Sequence, residues 1–117
     1  MAKIPLAQLE EMFCGMRAET AWNVDGPLLW GYFFTDPDDT KLRMAASELS
    51  SLGYRVVKVY PTDDRTTWFL HVERVEHHTA GSLNARNEEL SKFAERHGLE
   101  SYDGMDVGPS KPWWRFW

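Results

Sequence analysis

Residues Leu28 to Thr35 read Leu-Leu-Trp-Gly-Tyr-Phe-Phe-Thr, a run with no charge and no helical period. In an extended strand, successive side chains point to opposite faces. Leu28, Trp30, Tyr32 and Phe34 therefore share one face, and Leu29, Gly31 and Phe33 share the other. Both faces are apolar, which is the pattern of a central strand covered on both sides. The rest of the chain has to supply those covers.

The flanking sequence supplies helices and further strands. Leu6, Leu9, Phe13 and Met16 recur at helical spacing behind Pro5, which suits a first turn, so a helix is predicted over about 5–20. Asn23-Val24-Asp25-Gly26-Pro27 is a turn cluster. After the apolar run, Asp36-Pro37-Asp38-Asp39 starts a second helix, with Asp36 as the expected cap and two acids at the positive end of the dipole. Its apolar stripe is Leu42, Ala45, Ala46, Leu49 and Leu52, and Gly53 ends it. Tyr54 to Tyr60 alternates as a strand, with Val57 and Val59 on one face and Val56 on the other. Pro61 to Arg65 forms a hairpin loop, and Thr66 to Val75 returns with Trp68, Leu70 and Val72 opposite Phe69, His71, Glu73 and Val75. A third helix over about Ser82 to His97 carries Leu83, Leu90, Phe93 and Ala94 and closes at Gly98. Glu100 to Val107 is the last strand, broken by Gly108-Pro109.

The expected architecture is one α+β domain over residues 1–117, a ferredoxin-like βαββαβ sandwich over about 28–107. An extra helix precedes it and an aromatic tail, 108–117, follows. Such a sandwich puts both core helices on one face of the sheet and leaves the second face open. The N-terminal helix, the tail or another chain should cover the apolar second face of the central strand.

The tail is the sharpest local feature. Trp113, Trp114, Phe116 and Trp117 place four aromatics in five residues, in a chain that already holds six Trp, six Phe and four Tyr. Left exposed, that cluster is an aggregation liability. It either folds back over the open face or docks a partner, where Trp is enriched among the residues that carry binding energy. A homodimer and a monomer lidded by its own tail are both consistent with this.

Charge excludes other classes. The net charge is −5 and the basic residues are scattered, so no cluster exists to neutralise phosphates, and direct nucleic-acid binding is not expected. The acidic balance favours a basic partner surface and also keeps the chain soluble. No apolar run approaches the roughly 18 residues needed to span a bilayer, and no apolar signal-peptide core is present. The single cysteine, Cys14, cannot form an internal disulfide, which suits the reducing cytoplasm.

Catalytic and ligand constellations are sparse. His71 and Glu73 share a strand face, with His77 in phase if the strand continues, and two imidazoles with a carboxylate could ligate zinc. The spacing matches no structural zinc pattern, and a solvated strand edge is the commoner reason for such residues at a strand end. Asp103 and Asp106 flank Gly104, but no serine or cysteine nucleophile with a recognisable base accompanies them. The acidic loop Thr35 to Asp39 would repel phosphate, which excludes an acylphosphatase-type reaction. Base stacking on Trp30, Tyr32 and Phe34, in the manner of RNA-recognition motifs, competes with simple burial of those rings. A small metal-dependent hydrolase using His71, Glu73, His77 or Asp103 is the enzymatic alternative. A toxin-neutralising immunity protein is a second binding alternative, since small acidic domains suit basic nuclease surfaces.

Leu52-Gly53-Tyr54-Arg55-Val56, Leu90-Ser91-Lys92-Phe93-Ala94 and Tyr102-Asp103-Gly104 follow one another in an order and spacing that resembles the RraB family, the B-type regulators of ribonuclease E activity. The resemblance covers about Trp30 to Pro109. It implies a ferredoxin-like α/β sandwich without catalytic activity or cofactor. It also implies a protein partner, ribonuclease E, bound outside that enzyme's catalytic centre. Gly53, Tyr54, Tyr102, Asp103 and Gly104 then read as determinants of the fold, with Gly104 supplying a backbone conformation that a side chain would obstruct. Where characterised members carry an acidic extension, this chain carries the aromatic residues 113–117.

Overall fold

The computed structural model, which describes residues 4–109, places the apolar run inside a sheet. Strand β1 (Leu28–Asp36) pairs antiparallel on one side with β3 (Trp68–Glu76) and on the other with β4 (Ser101–Pro109). Strand β2 (Arg55–Pro61) extends the sheet beyond β3, giving the order β2-β3-β1-β4. Helices α1 (Leu6–Glu19), α2 (Asp39–Ser51) and α3 (Ala80–Arg96) complete an α+β architecture. Among the described residues, no helix is long and apolar enough to cross a membrane.

One face of the sheet is sealed. Trp30, Tyr32 and Phe34 of β1 and Leu70 and Val72 of β3 have no exposed surface, and they meet Leu42, Ala45 and Leu49 of α2 and Leu83, Leu90 and Phe93 of α3 in one core. Helix α1 joins this same layer. Its Leu9, Phe13 and Met16 are buried, and the Phe13 ring lies 5.8 Å from that of Trp30. The N-terminal helix therefore does not cover the second face of β1. No described element does: Leu29 and Phe33 remain half-exposed there. Of the three covers expected for that face, the N-terminal helix is excluded, because α1, α2 and α3 all take the Trp30 side. The tail residues Trp113, Trp114, Phe116 and Trp117 lie outside the described residues.

Local chemistry fixes the ends of the elements. At α2 the cap is Asp38, whose carboxylate accepts from the Thr40 amide at 2.9 Å, and not Asp36. Asp36 ends β1, nearly fully buried, and accepts from the amides of Asp38 and Glu100, each at 2.9 Å. One carboxylate thus ties the start of α2 to the entry of β4. The helix ends at Leu52, which is exposed rather than part of the buried stripe. There the Gly53 and Tyr54 amides donate to Ser50 and Leu49, a paired pattern that needs the left-handed φ of +100° at Gly53. Helix α3 starts two residues earlier than the apolar pattern suggests, since Thr79 and Ser82 form a reciprocal capping box.

Two bulges override simple alternation. In β2, Val56 pairs with Val72 and Val59 with Leu70, so both face the core, and Val57 is the extra residue between Val56 and Lys58. In β4, Tyr102 pairs with Phe34 and Gly104 with Phe33, leaving Asp103 as the extra residue. Gly104 adopts φ +105°, a backbone region that side-chain-bearing residues rarely enter. Strand β4 also continues through Gly108 and Pro109, paired with Leu29 and Leu28. Proline does not end it because, among the described residues, β4 is an edge strand with no partner on its outer side.

Candidate functional site

Two arrangements gather chemistry-bearing side chains: a polar cluster beneath the helices and the open face of the sheet.

The cluster forms where β3 runs into α3. Glu76 is the last residue of β3, and its Oε2 accepts from Tyr32 Oη at 2.6 Å and from Arg86 Nη1 at 2.6 Å. His78 Nε2 lies 3.3 Å from the same oxygen and 2.9 Å from Tyr32 Oη. His78 Nδ1 is 2.9 Å from Ser82 Oγ, which also belongs to the capping box. The Tyr54 ring meets Tyr32 edge-on, with the Arg86 guanidinium near both rings. Burial by itself would raise the Glu76 carboxyl, but hydrogen bonds from His78, Tyr32 and Arg86, with the Arg86 charge, outweigh it and hold its pKa at about 2. Burial and then the adjacent carboxylate push the Tyr32 hydroxyl far up. Perturbed groups in this density often mark a reactive centre. Here Tyr32 is fully buried and His78 is 5% exposed, so a substrate cannot reach the hydroxyl or the imidazole. The arrangement locks the β3–α3 junction. Sequence reasoning missed it because Tyr32, Glu76, His78 and Arg86 come from three separate stretches of chain. The alternation of β1 placed Tyr32 on the buried face, which was the available signal for a buried hydroxyl in need of a partner.

The open face is the accessible arrangement, and strand pairing arranges it in rows. Val75, Leu29 and Gly108 form the first row, next to the point where the chain leaves β4. Arg55, Glu73, Gly31 and Asp106 form the second, Lys58, His71, Phe33 and Gly104 the third, and Tyr60, Phe69, Thr35 and Ser101 the fourth. Half of this face is aromatic. Phe33 stacks on His71 with centroids 4.4 Å apart, Tyr60 stacks on Phe69 at 5.4 Å, and the Lys58 ammonium sits 4.7 Å above the Tyr60 ring. The other half is low. Gly31 and Gly108 border a groove of about 210 Å³ alongside β4, walled by His71, Glu73 and Asp106. Gly31 is needed there, since a Cβ would collide with an Asp106 carboxylate oxygen and stand 2.8 Å from His71 Nε2.

The residues singled out from sequence are distributed between these places. His71 and Glu73 do share the open face, but Glu73 is engaged by Arg55 at 2.7 Å and His71 is stacked on Phe33. His77 follows the end of β3 and is not part of that face's paired rows. Among the described residues, no three His, Cys, Asp or Glu side chains come together as a metal site. Asp103 and Asp106 are both exposed on β4, one in the bulge and one over Gly31. Trp30, Tyr32 and Phe34 are wholly buried and can stack no base. Tyr102 is buried and donates to Asn87 Oδ1 at 2.6 Å, while the Tyr54 hydroxyl is buried without a hydrogen-bond partner among the described residues. What the open face offers is a polar-rimmed aromatic surface suited to contact with another macromolecule.

The family model for Regulator of ribonuclease activity B (RraB) matches residues 7–107, from α1 through most of β4. It takes in the first helix, which lies before the Trp30 to Pro109 stretch that carries the sequence resemblance. No curated protein matches the chain significantly.

Proposed function

The chain belongs to the RraB family of regulators of ribonuclease activity, and from that premise we propose that it binds a ribonuclease of the E type as a protein ligand and changes RNA turnover without catalysing a reaction itself. The family match over residues 7–107 carries this reading. The order β2-β3-β1-β4, with α2 and α3 against the buried face, supports the ferredoxin-like arrangement the family implies. The open face, with Phe33, Phe69 and Tyr60 flanked by Lys58, His71 and Asp103, is the surface we assign to the partner. Aromatic anchors inside a charged rim are how such contacts gain both affinity and register. The net charge of −5 suits the basic, RNA-binding parts of a ribonuclease, and complementary charge accelerates encounter. We place this activity in the cytoplasm, where a lone thiol such as Cys14 stays reduced.

The test is a titration of purified ribonuclease E with the full chain, following cleavage of a fluorescent RNA oligonucleotide. Saturable inhibition at near-stoichiometric ratio is expected, with no RNA binding by the chain alone. Phe33→Ser with Phe69→Ser should weaken it at least tenfold while the circular dichroism spectrum is retained. An unchanged cleavage rate at tenfold excess of the chain refutes the proposal.

A further inference from the structure

We propose that the open face packs against the open face of a second copy of this chain, about a two-fold axis that runs parallel to the strands between β3 and β1. The inference stands on this chain's own geometry and does not need the ribonuclease.

A two-fold interface sets one patch against itself, so the patch has to be self-complementary. An axis along the strands keeps each row of the face at its own level and reverses the strand order. Strand β2 then lies opposite β4 of the second copy, and β3 opposite its β1. Charge is distributed to suit this. Exposed Arg55 and Lys58 stand on β2, and exposed Asp103 and Asp106 on β4. Arg55 and Asp106 share one row; Lys58 and Gly104 share the next, with the bulged Asp103 adjoining Gly104. The axis therefore brings Arg55 to Asp106 and Lys58 to Asp103, twice each. Within the chain Arg55 holds Glu73 at 2.7 Å, whereas Lys58, Asp103 and Asp106 enter no ion pair among the described residues. An axis across the strands would instead set β2 against β2 and β4 against β4, like charge against like, which is costly.

Relief follows the same axis. The face is high over β2 and β3, where Tyr60 stacks on Phe69 and Lys58 stands above the Tyr60 ring. It is low over β4, where a Cβ added at Gly104 or Gly108 would meet open space. In the row of Tyr60 and Phe69, β1 and β4 carry only Thr35 and Ser101, whose hydroxyls are joined to each other at 2.6 Å. The Tyr60–Phe69 pair of one copy lies over that small, satisfied floor of the other, and the two Phe33–His71 stacks meet at the axis. Two aligned sheets share a core in this way. Four rows about 6.8 Å apart on four strands about 4.8 Å apart make roughly 500 Å² per copy before side-chain relief is added. Both copies together reach about 1,000 Å², the lower bound for a specific interface, so a reversible dimer is expected. The rings assigned to the ribonuclease are the same ones, and the dimer is the closed form of that surface.

Sedimentation equilibrium of the full chain, without ribonuclease, tests this. The mass should rise from one chain to two through the micromolar range. Lys58→Glu alone and Asp103→Lys alone each set like charges across the axis and should weaken association at least tenfold, with an unchanged circular dichroism spectrum. Mixed in equal amounts, the two variants should dimerise as readily as the natural chain, because both contacts then join opposite charges again. A single-chain mass at every concentration, the result if the chain's own residues 110–117 take the face, overturns the proposal whatever the ribonuclease titration gives. A dimer that neither variant weakens, or that the mixture fails to restore, places the interface elsewhere on the chain and overturns it equally.

Discussion

Replacing Glu76 by Gln isolates the charge in the cluster that joins β3 to α3. Gln keeps the length of the side chain and can still accept from Tyr32, but it cannot neutralise Arg86, whose guanidinium is only 18% exposed. The folded carboxyl titrates at about 2 against an ordinary value of 4.5. That depression stabilises the folded state above the ordinary value and is lost as pH falls from about 4.5 towards 2. At about 1.4 kcal/mol per unit, the difference amounts to about 3 kcal/mol at neutral pH. The Glu76 side chain is 14% exposed, and screening by water at that edge reduces the expectation to about 2 kcal/mol. Urea unfolding followed by far-ultraviolet circular dichroism should give that loss for Glu76→Gln at pH 7. At pH 3 more than half of it should be gone, because the natural carboxyl has then lost most of the same advantage. A loss of equal size at both pH values would show that the carboxylate charge is not what the network stabilises, and the reasoning would fall.

Three further outcomes follow from burial and backbone geometry. Tyr102→Phe leaves Asn87 Oδ1 without its 2.6 Å donor in a buried site and should cost about 1–2 kcal/mol by denaturant titration. Gly53→Ala forces a Cβ into φ +100° at the end of α2 and should cost about 1 kcal/mol, seen as a lower denaturation midpoint with an unchanged m-value. Trp30→Ala opens a cavity in the core and should cost about 3–5 kcal/mol. Trp30→Phe should cost less than half of that, because it also removes the buried indole N–H that has no partner; equal losses for the two would disprove this.

Much of the chain was legible from local sequence because its signals are local. The helical spacing of Leu9, Phe13 and Met16, the glycines that end α2 and α3, and the alternation of Leu70 and Val72 against Phe69 and His71 each depend on a few neighbouring residues. The order of helices and strands follows from them, and so does the choice of Trp30, Tyr32 and Phe34 as one face of β1. Other features required partners distant in sequence. Asp36 caps nothing because its carboxylate is claimed by the Asp38 and Glu100 amides, the latter 64 residues away. The bulge at Val57 is set by register against β3, and Pro109 stays in β4 because that strand lies at the edge. The cluster at Glu76 exists only once β1, β3 and α3 meet, since burial makes an unpaired hydroxyl or carboxylate costly and selects neighbours able to bond it. The sequence determined which surfaces must leave water. Which of those surfaces α1 would cover, and that the Leu29 and Phe33 side would remain open, was decided by tertiary packing, because apolar burial has no direction of its own and is assigned by whichever surfaces the chain brings within reach.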